Sequence, residues 1–195
     1  MKDKPVILVV DDLPQNIELI EAYLAPLGYE IVKAASGEDA LEKISGNQVD
    51  LILLDVMMPG MNGYEVCKKI KSNQGKTFLP IVILTALDNM EAKIEGLEAG
   101  ADDFVNKPFH RVELVARIKN LLKIKFLHDE VESKNQLISG MLHRYVDSAV
   151  IAQILANPDK YSKLGGEKKK VAVFFCDVRG FTSISESMNA EELIH

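Results

Sequence analysis

Val6-Ile-Leu-Val-Val10 is an unbroken apolar run that stops at two carboxylates, Asp11 and Asp12. Consecutive β-branched and aliphatic residues, with no polar alternation, suit a short strand covered on both faces. The pattern recurs three times: Leu51-Ile-Leu-Leu54 runs into Asp55, Ile81-Val-Ile-Leu84 into Thr85, and Asp103-Phe-Val-Asn106 into Lys107-Pro108. Parallel strands place their carboxyl ends along one edge of the sheet, and that edge is where open α/β sheets keep their chemistry. Three acids, one hydroxyl and one ammonium then converge there, a set suited to a divalent cation and a transferred phosphoryl group.

Working outward, strands are expected at 6–10, 30–34, 50–54, 80–84 and 103–105, and helices at about 14–27, 37–46, 62–73, 90–99 and 110–123. Punctuation agrees with these spans. Pro14 suits a first helical turn, Gly28 a helix end, Ser36-Gly37-Glu38 a helix start and Pro59-Gly60 a loop. Alternating β and α elements imply a parallel sheet with helices on both faces. Five such units in roughly 120 residues make one compact domain.

After residue 110 helix-compatible sequence continues, without a proline or a strand signal, to about residue 156. From Leu121, apolar or near-apolar residues recur at Ile124, His128, Val131, Asn135, Ile138, Leu142 and Tyr145, a 3.5-residue period. A long helix packed on its own domain satisfies this pattern, and so does a parallel two-stranded coil. His128 and Asn135 favour the coil, because single polar residues in a seam fix its register. Gly140 weakens the helix locally and marks a hinge or the end of the coil.

The net charge of -6 over 195 residues argues against a nucleic-acid surface, which carries a basic excess. Proteins or small phosphorylated donors are the expected partners. Cys67 and Cys176 lie far apart without metal-ligand spacing, as in a reduced cytoplasmic protein. The first apolar run is too short for a signal peptide or a membrane span.

Phosphoryl transfer to a carboxylate requires an exposed nucleophilic Asp, a cation and donors for the remaining phosphoryl oxygens. A lone strand-ending Asp is commonly a cap, but four strand ends carrying complementary chemistry are not explained by capping. On these residues, 4–123 resembles a response regulator receiver domain over its whole length. The motifs are Val-Asp11-Asp12, Leu-Asp55-Val-Met-Met-Pro-Gly-Met-Asn-Gly63, Leu-Thr85-Ala86 and Gly100-Ala-Asp-Asp-Phe104-Val-Asn-Lys107-Pro108-Phe109. The resemblance implies an α/β, flavodoxin-like (βα)5 fold with strand order 2-1-3-4-5, followed here by an extended C-terminal helix. It implies Asp55 as the phosphoacceptor, with magnesium, or manganese in its place, held by Asp11, Asp12, Asp55 and the Met57 carbonyl. Lys107 then contacts the phosphoryl group, Thr85 follows its oxygens, and the Ala86 amide adds a donor. Phe104 takes the aromatic switch position, and the bond before Pro108 is expected to be cis. The implied partner is a sensor histidine kinase or a phosphotransfer protein. A metal-dependent phosphatase with an aspartyl nucleophile would show Asp-x-Asp, and neither Asp11-Asp12 nor Asp55-Val-Met57 does.

Near the C-terminus, Lys168-Lys-Lys-Val-Ala-Val-Phe-Phe-Cys176-Asp177 reads as a buried strand from Val171 to Cys176 ending in an acid, and Thr182 to Ile194 as a helix. The string from Val171 to Glu186 resembles the opening of class III adenylate or guanylate cyclase catalytic domains. Asp177 is then a metal ligand and Val178 offers a carbonyl. The segment from Leu142 through Asn157-Pro158-Asp159 to Gly165-Gly166 resembles the helix and turn preceding that domain. The expected organisation is a receiver at 1–123, a helical or coiled-coil linker at 124–167 and the incomplete start of a cyclase domain at 168–195, so no cyclase activity is expected of the chain alone. The expected role is a phosphorylation switch acting through a homodimeric helix on a nucleotide cyclase that makes cyclic AMP or cyclic GMP. The alternative is an adaptor without enzymatic output.

Overall fold

The computed structural model describes residues 4–46, 48–73, 78–86 and 90–147, and beyond them 150–151, 154, 156, 170, 172–177, 179–181 and 189. Five strands, β1 (Val6–Val10), β2 (Glu30–Ala34), β3 (Leu51–Asp55), β4 (Ile81–Thr85) and β5 (Asp103–Asn106), form one parallel sheet in the order β2-β1-β3-β4-β5. This is the expected flavodoxin-like order. Helices α1 (Pro14–Leu24), α2 (Gly37–Gly46), α3 (Gly63–Asn73), α4 (Met90–Glu98) and α5 (Arg111–Tyr145) follow the strands in turn. Asp55 and Thr85 are the last residues of their strands rather than the first beyond them, a shift of one residue from the spans read in the sequence.

Alternation along the strands divides the core. Leu8, Val10, Ile52, Leu54, Ile81 and Ile83 face one side with Ala40 of α2 and Val66, Cys67 and Ile70 of α3. Ile7, Val9, Leu51, Leu53, Val82 and Leu84 face the other, against Ile17, Ile20 and Leu24 of α1 and Leu114, Ile118, Leu121 and Leu122 of α5. Both faces of the central strands are therefore dry, and each fully buried aliphatic side chain contributes about 1.5–3 kcal/mol.

Local chemistry ends and starts the helices where the sequence suggests. Gly28 closes the 3-10 turn after α1, Ala25–Leu27, at φ 77°, a conformation that glycine adopts without strain. Asn62 and Glu65 form a reciprocal capping box for α3: the Glu65 amide donates to Asn62 Oδ1 at 2.9 Å and the Asn62 amide to Glu65 Oε2 at 3.0 Å. Gly63 is required by close approach, since a Cβ there would fall on the Asp55 carbonyl oxygen.

The long helix departs from expectation in two ways. It ends at Tyr145, and a new helical turn begins at Asp147, whose carbonyl accepts from the amides of Val150 and Ile151 at 3.0 and 3.1 Å. An aspartate opening a helix is a common N-terminal signal, and it interrupts the single helix expected to reach 156. The intended seam is also partly consumed by the domain itself. Leu121 is buried, and the His128 ring lies 5.6 Å from that of Phe78. Ile124, Val131 and Ile138 remain 52, 56 and 55% exposed, beside exposed Leu127, Leu137 and Met141.

The chain divides into two units, Met1–Arg144 and Tyr145–His195. In the second, residues 172–177 are exposed and outside any strand, with Phe174 and Phe175 at 87 and 91%. The expected buried strand is thus not formed: among the described residues no neighbouring strand supplies its hydrogen bonds. The turn at Asn157-Pro158-Asp159, Gly165-Gly166, Val178 and nearly all of the helix expected over 182–194 lie outside the described residues.

Cys67, fully enclosed in the core, has its thiol pushed up to about 11 by burial. An unfolded thiol ionises near 9, so between pH 9 and 11 the unfolded state sheds a proton that the folded state keeps, and stability falls. The stability difference between wild type and Cys67→Ala should be constant below pH 9 and shrink by about 2–3 kcal/mol by pH 11, as read by urea denaturation.

Candidate functional site

The carboxyl ends of β1, β3, β4 and β5 bring together residues far apart in sequence. Lys107, directly after β5, donates from Nζ to Asp55 Oδ1 at 2.6 Å and to Asp11 Oδ2 at 2.8 Å. Its backbone is tied to the end of β4, because the Lys107 amide donates to the Thr85 carbonyl at 2.7 Å; the Lys107-Pro108 bond is cis, as expected. Asp11 and Asp55 are buried, with Asp11 wholly enclosed. Oxygens of Asp11, Asp12 and Asp55 all lie within 4.8 Å of one another.

Three carboxylates facing one ammonium leave a net negative charge in a poorly solvated place. Burial pushes the Asp55 carboxyl above its ordinary range; Lys107 opposes this, while Asp11 and Asp12 add to it. For Lys107, burial works downward, but its bonds with Asp11 and Asp55 prevail and hold the ammonium above its usual range. Asp11 is further steadied by donors that the sequence reading did not single out. Asn16 Nδ2 donates to both its oxygens at 2.9 Å, and the Leu13 amide donates to Oδ1 at 2.9 Å. Asn16 stands in the first turn of α1, and nothing in its spacing from Asp11 marks the contact in advance.

This donor set fits a magnesium ion: hard oxygen ligands, two of them buried, with more negative charge than Lys107 neutralises. Asp12 is only partly covered, Met57 is 62% exposed on the loop after β3, and Ala86 is exposed just beyond β4. That loop is folded back on itself, the Met58 and Gly63 amides both donating to the Val56 carbonyl at 3.1 Å. A depression of about 450 Å³ beside it is lined by Val56, Met57, Met58, Asn62, Tyr64 and Glu95.

Thr85 is buried, as is Tyr64 of α3. Phe104, in β5, is half-buried, its ring against Gly96 of α4. Asp177 is exposed and belongs to the second unit, as does Val178, whereas Asp11, Asp12, Asp55, Met57, Thr85, Ala86, Phe104 and Lys107 belong to the first.

The family model described as the response regulator receiver domain matches residues 7–119. The chain is 44% identical over 128 residues to the response regulator PleD of Caulobacter vibrioides, covering 66% of this chain and 28% of that protein. It is 40% identical over 156 residues to the alkaline phosphatase synthesis transcriptional regulatory protein PhoP of Bacillus subtilis, covering 80% of this chain and 61% of that protein. The chain thus spans less than two thirds of either relative. Among solved structures, a putative response regulator from Chloroflexus aurantiacus is 45% identical with a TM-score of 0.59, covering 62% of this chain and 99% of that one.

Crowded charge makes a stability prediction. In chelator at neutral pH, Asp55→Asn should unfold at a higher temperature than wild type, by on the order of 1 kcal/mol or about 4 °C, because one of three mutually repelling carboxylates is neutralised. Added magnesium should erase that gain, as read by thermal unfolding with and without the ion.

Proposed function

Because this chain belongs to the response regulator receiver family, we propose that Asp55 is its phosphoacceptor and that phosphorylation there switches the surface formed by β4, α4 and β5. Residues 7–119 are the receiver domain of a two-component response regulator, a class that takes phosphoryl groups from histidine kinases or phosphotransfer proteins and binds magnesium at an aspartate cluster. The observation carrying the residue assignment is the Lys107 ammonium held between Asp55 and Asp11 at the end of the sheet.

Asp55 Oδ attacks the donor's phosphorus while the bond from phosphorus to the donor breaks and its electron pair leaves with the donor. The Lys107 ammonium, 2.6 Å from Asp55, opposes the upward pull of burial on that carboxyl and then turns to a phosphoryl oxygen. Asp11, Asp12, Asp55 and the Met57 carbonyl would hold the cation, which when bound neutralises phosphoryl oxygens that the acids would otherwise repel. Asn16 fixes the orientation of Asp11 throughout. The acyl phosphate adds about -1.5 to -2 charge at one strand end. Thr85 at the end of β4 and the Ala86 amide just beyond it move toward the new oxygens, and Phe104, whose ring lies against Gly96 before phosphorylation, repacks in response.

Transmission is proposed through α5. Its 35 residues extend about 50 Å, and the stripe Ile124, Val131 and Ile138 is exposed on a helix otherwise laced by surface ion pairs such as Lys134–Glu130. Pairing of that stripe with a second copy makes a homodimer and carries the switch into the linker at 124–167. The output module beginning near 168 is proposed to be a class III nucleotide cyclase, with Asp177 as a metal ligand. The resemblance of residues 171–186 supports it, and so does the exposed Val173-Phe174-Phe175 run, whose pattern suits a strand in a larger sheet. No helix among the described residues is long and apolar enough to cross a membrane, and we place the protein in the cytoplasm on the reading of its two unpaired cysteines.

With magnesium and acetyl phosphate, the chain should gain one hydroxylamine-labile phosphoryl group by intact mass, and Asp55→Asn should gain none; equal labelling of the variant would move the acceptor elsewhere. Ending the chain at residue 123 should convert a dimer to a monomer by light scattering. A shortened chain that dimerises as before would put the contact on the receiver surface instead.

A further inference from the structure

Asp11 is crowded with donors. Its Oδ1 accepts from the Leu13 amide at 2.9 Å, and its Oδ2 accepts from Lys107 Nζ at 2.8 Å. Asn16 Nδ2 adds a contact of 2.9 Å to each of the two oxygens. A carboxylate offers about four lone-pair sites, and these four contacts occupy them. The contact from Asn16 has a particular place. A nitrogen equidistant from both oxygens stands across the open edge between them, where a chelated cation would otherwise sit. Asn16 turns its nitrogen rather than its oxygen to this edge, because a carbonyl there would be repelled by the carboxylate.

Helix capping does not account for this use of Asn16. It is the third residue of α1, and that helix starts at Leu13 with no side-chain cap. Its backbone amide donates to the Leu13 carbonyl at 3.0 Å, so its backbone is tied to the same turn that supplies the Leu13 amide to Asp11. Asp11 is anchored from the other side, its amide donating to the Ala34 carbonyl at 3.2 Å. Both ends of the contact are therefore held by backbone. We propose that Asn16 sets the cation preference of the site: by closing the chelating edge of Asp11 it limits that carboxylate to one oxygen, freed when Lys107 turns away, and leaves too few ligands for calcium. The inference rests on the reading that Asp11, Asp12 and Asp55 hold a divalent cation. Calcium takes about six to eight oxygens and accepts bidentate carboxylates, whereas magnesium is smaller, keeps several waters and is held by one or two carboxylates. Asn16 is thus a positioning residue for the cation, acting through Asp11.

The test is titration calorimetry of the full chain with magnesium alone and, separately, with calcium alone. Asn16→Ala opens the edge of Asp11 and should raise the ratio of calcium affinity to magnesium affinity about tenfold, the lower end of what loss of a ligand's hydrogen-bonding partner does to metal binding. Asn16→Ser keeps a polar side chain, but its shorter reach and single proton do not span both oxygens, so it should shift the ratio in the same direction. The ratio compares two ions on one protein, and a general loss of stability leaves it unmoved. An unchanged or lower ratio in both variants overturns the role of Asn16 while leaving the cation site in place. Equal magnesium binding by wild type and Asp12→Asn removes the acidic pair as the cation site, and the role of Asn16 with it.

Discussion

Lys107 Nζ stands between two buried carboxylates, 2.6 Å from Asp55 and 2.8 Å from Asp11, and this shared ammonium makes the rest of the site tenable. Buried carboxylates in apolar surroundings are costly unless paired and hydrogen-bonded. Here a single cation serves two of them, Asn16 and the Leu13 amide serve one further, and Asp12 sits partly in solvent. The arrangement is under-neutralised, and that is its use. A site with surplus negative charge attracts a divalent cation, and a cation with Lys107 makes room for a phosphoryl group.

That constraint explains features elsewhere in the fold. The four strand ends must be held in register, and the fully buried aliphatic residues of β1, β3 and β4 do this by packing on both faces of the sheet. Gly63 brings the start of α3 against the Asp55 carbonyl, and the Asn62–Glu65 box fixes that helix start. Because α3 begins so close to Asp55, its second residue, Tyr64, is buried beside the ring of Phe104 over Gly96. Gly96 does the same for α4, leaving room for Phe104. Chemistry at the sheet edge is therefore mechanically close to α3, α4 and β5 without any long-range pathway.

Farther out, α5 has two characters. Its first turns bury Leu114, Ile118, Leu121 and Leu122 against the sheet, and its later turns carry exposed apolar residues. Of the heptad positions, Leu121 and His128 pack on the helix's own domain, whereas Ile124, Val131 and Ile138 stay exposed. Periodicity reports that a face is apolar and says nothing of what covers it. At the C-terminal end, the run 172–177 illustrates the converse: a strand pattern forms no strand among the described residues, because backbone hydrogen bonds need a neighbour.

What the sequence determined by itself was local. Unbroken aliphatic runs, glycine and asparagine at helix ends, and the identity of the residue ending each strand are short-range signals, and they placed the five strands within a residue and named Asp11, Asp55, Thr85 and Lys107. Tertiary structure alone decided how those residues engage. Lys107 meets partners 96 and 52 positions away, and Asn16 grips Asp11 from the first turn of a helix. Such contacts leave no periodic trace, because they depend on where two backbones cross rather than on the spacing within either one.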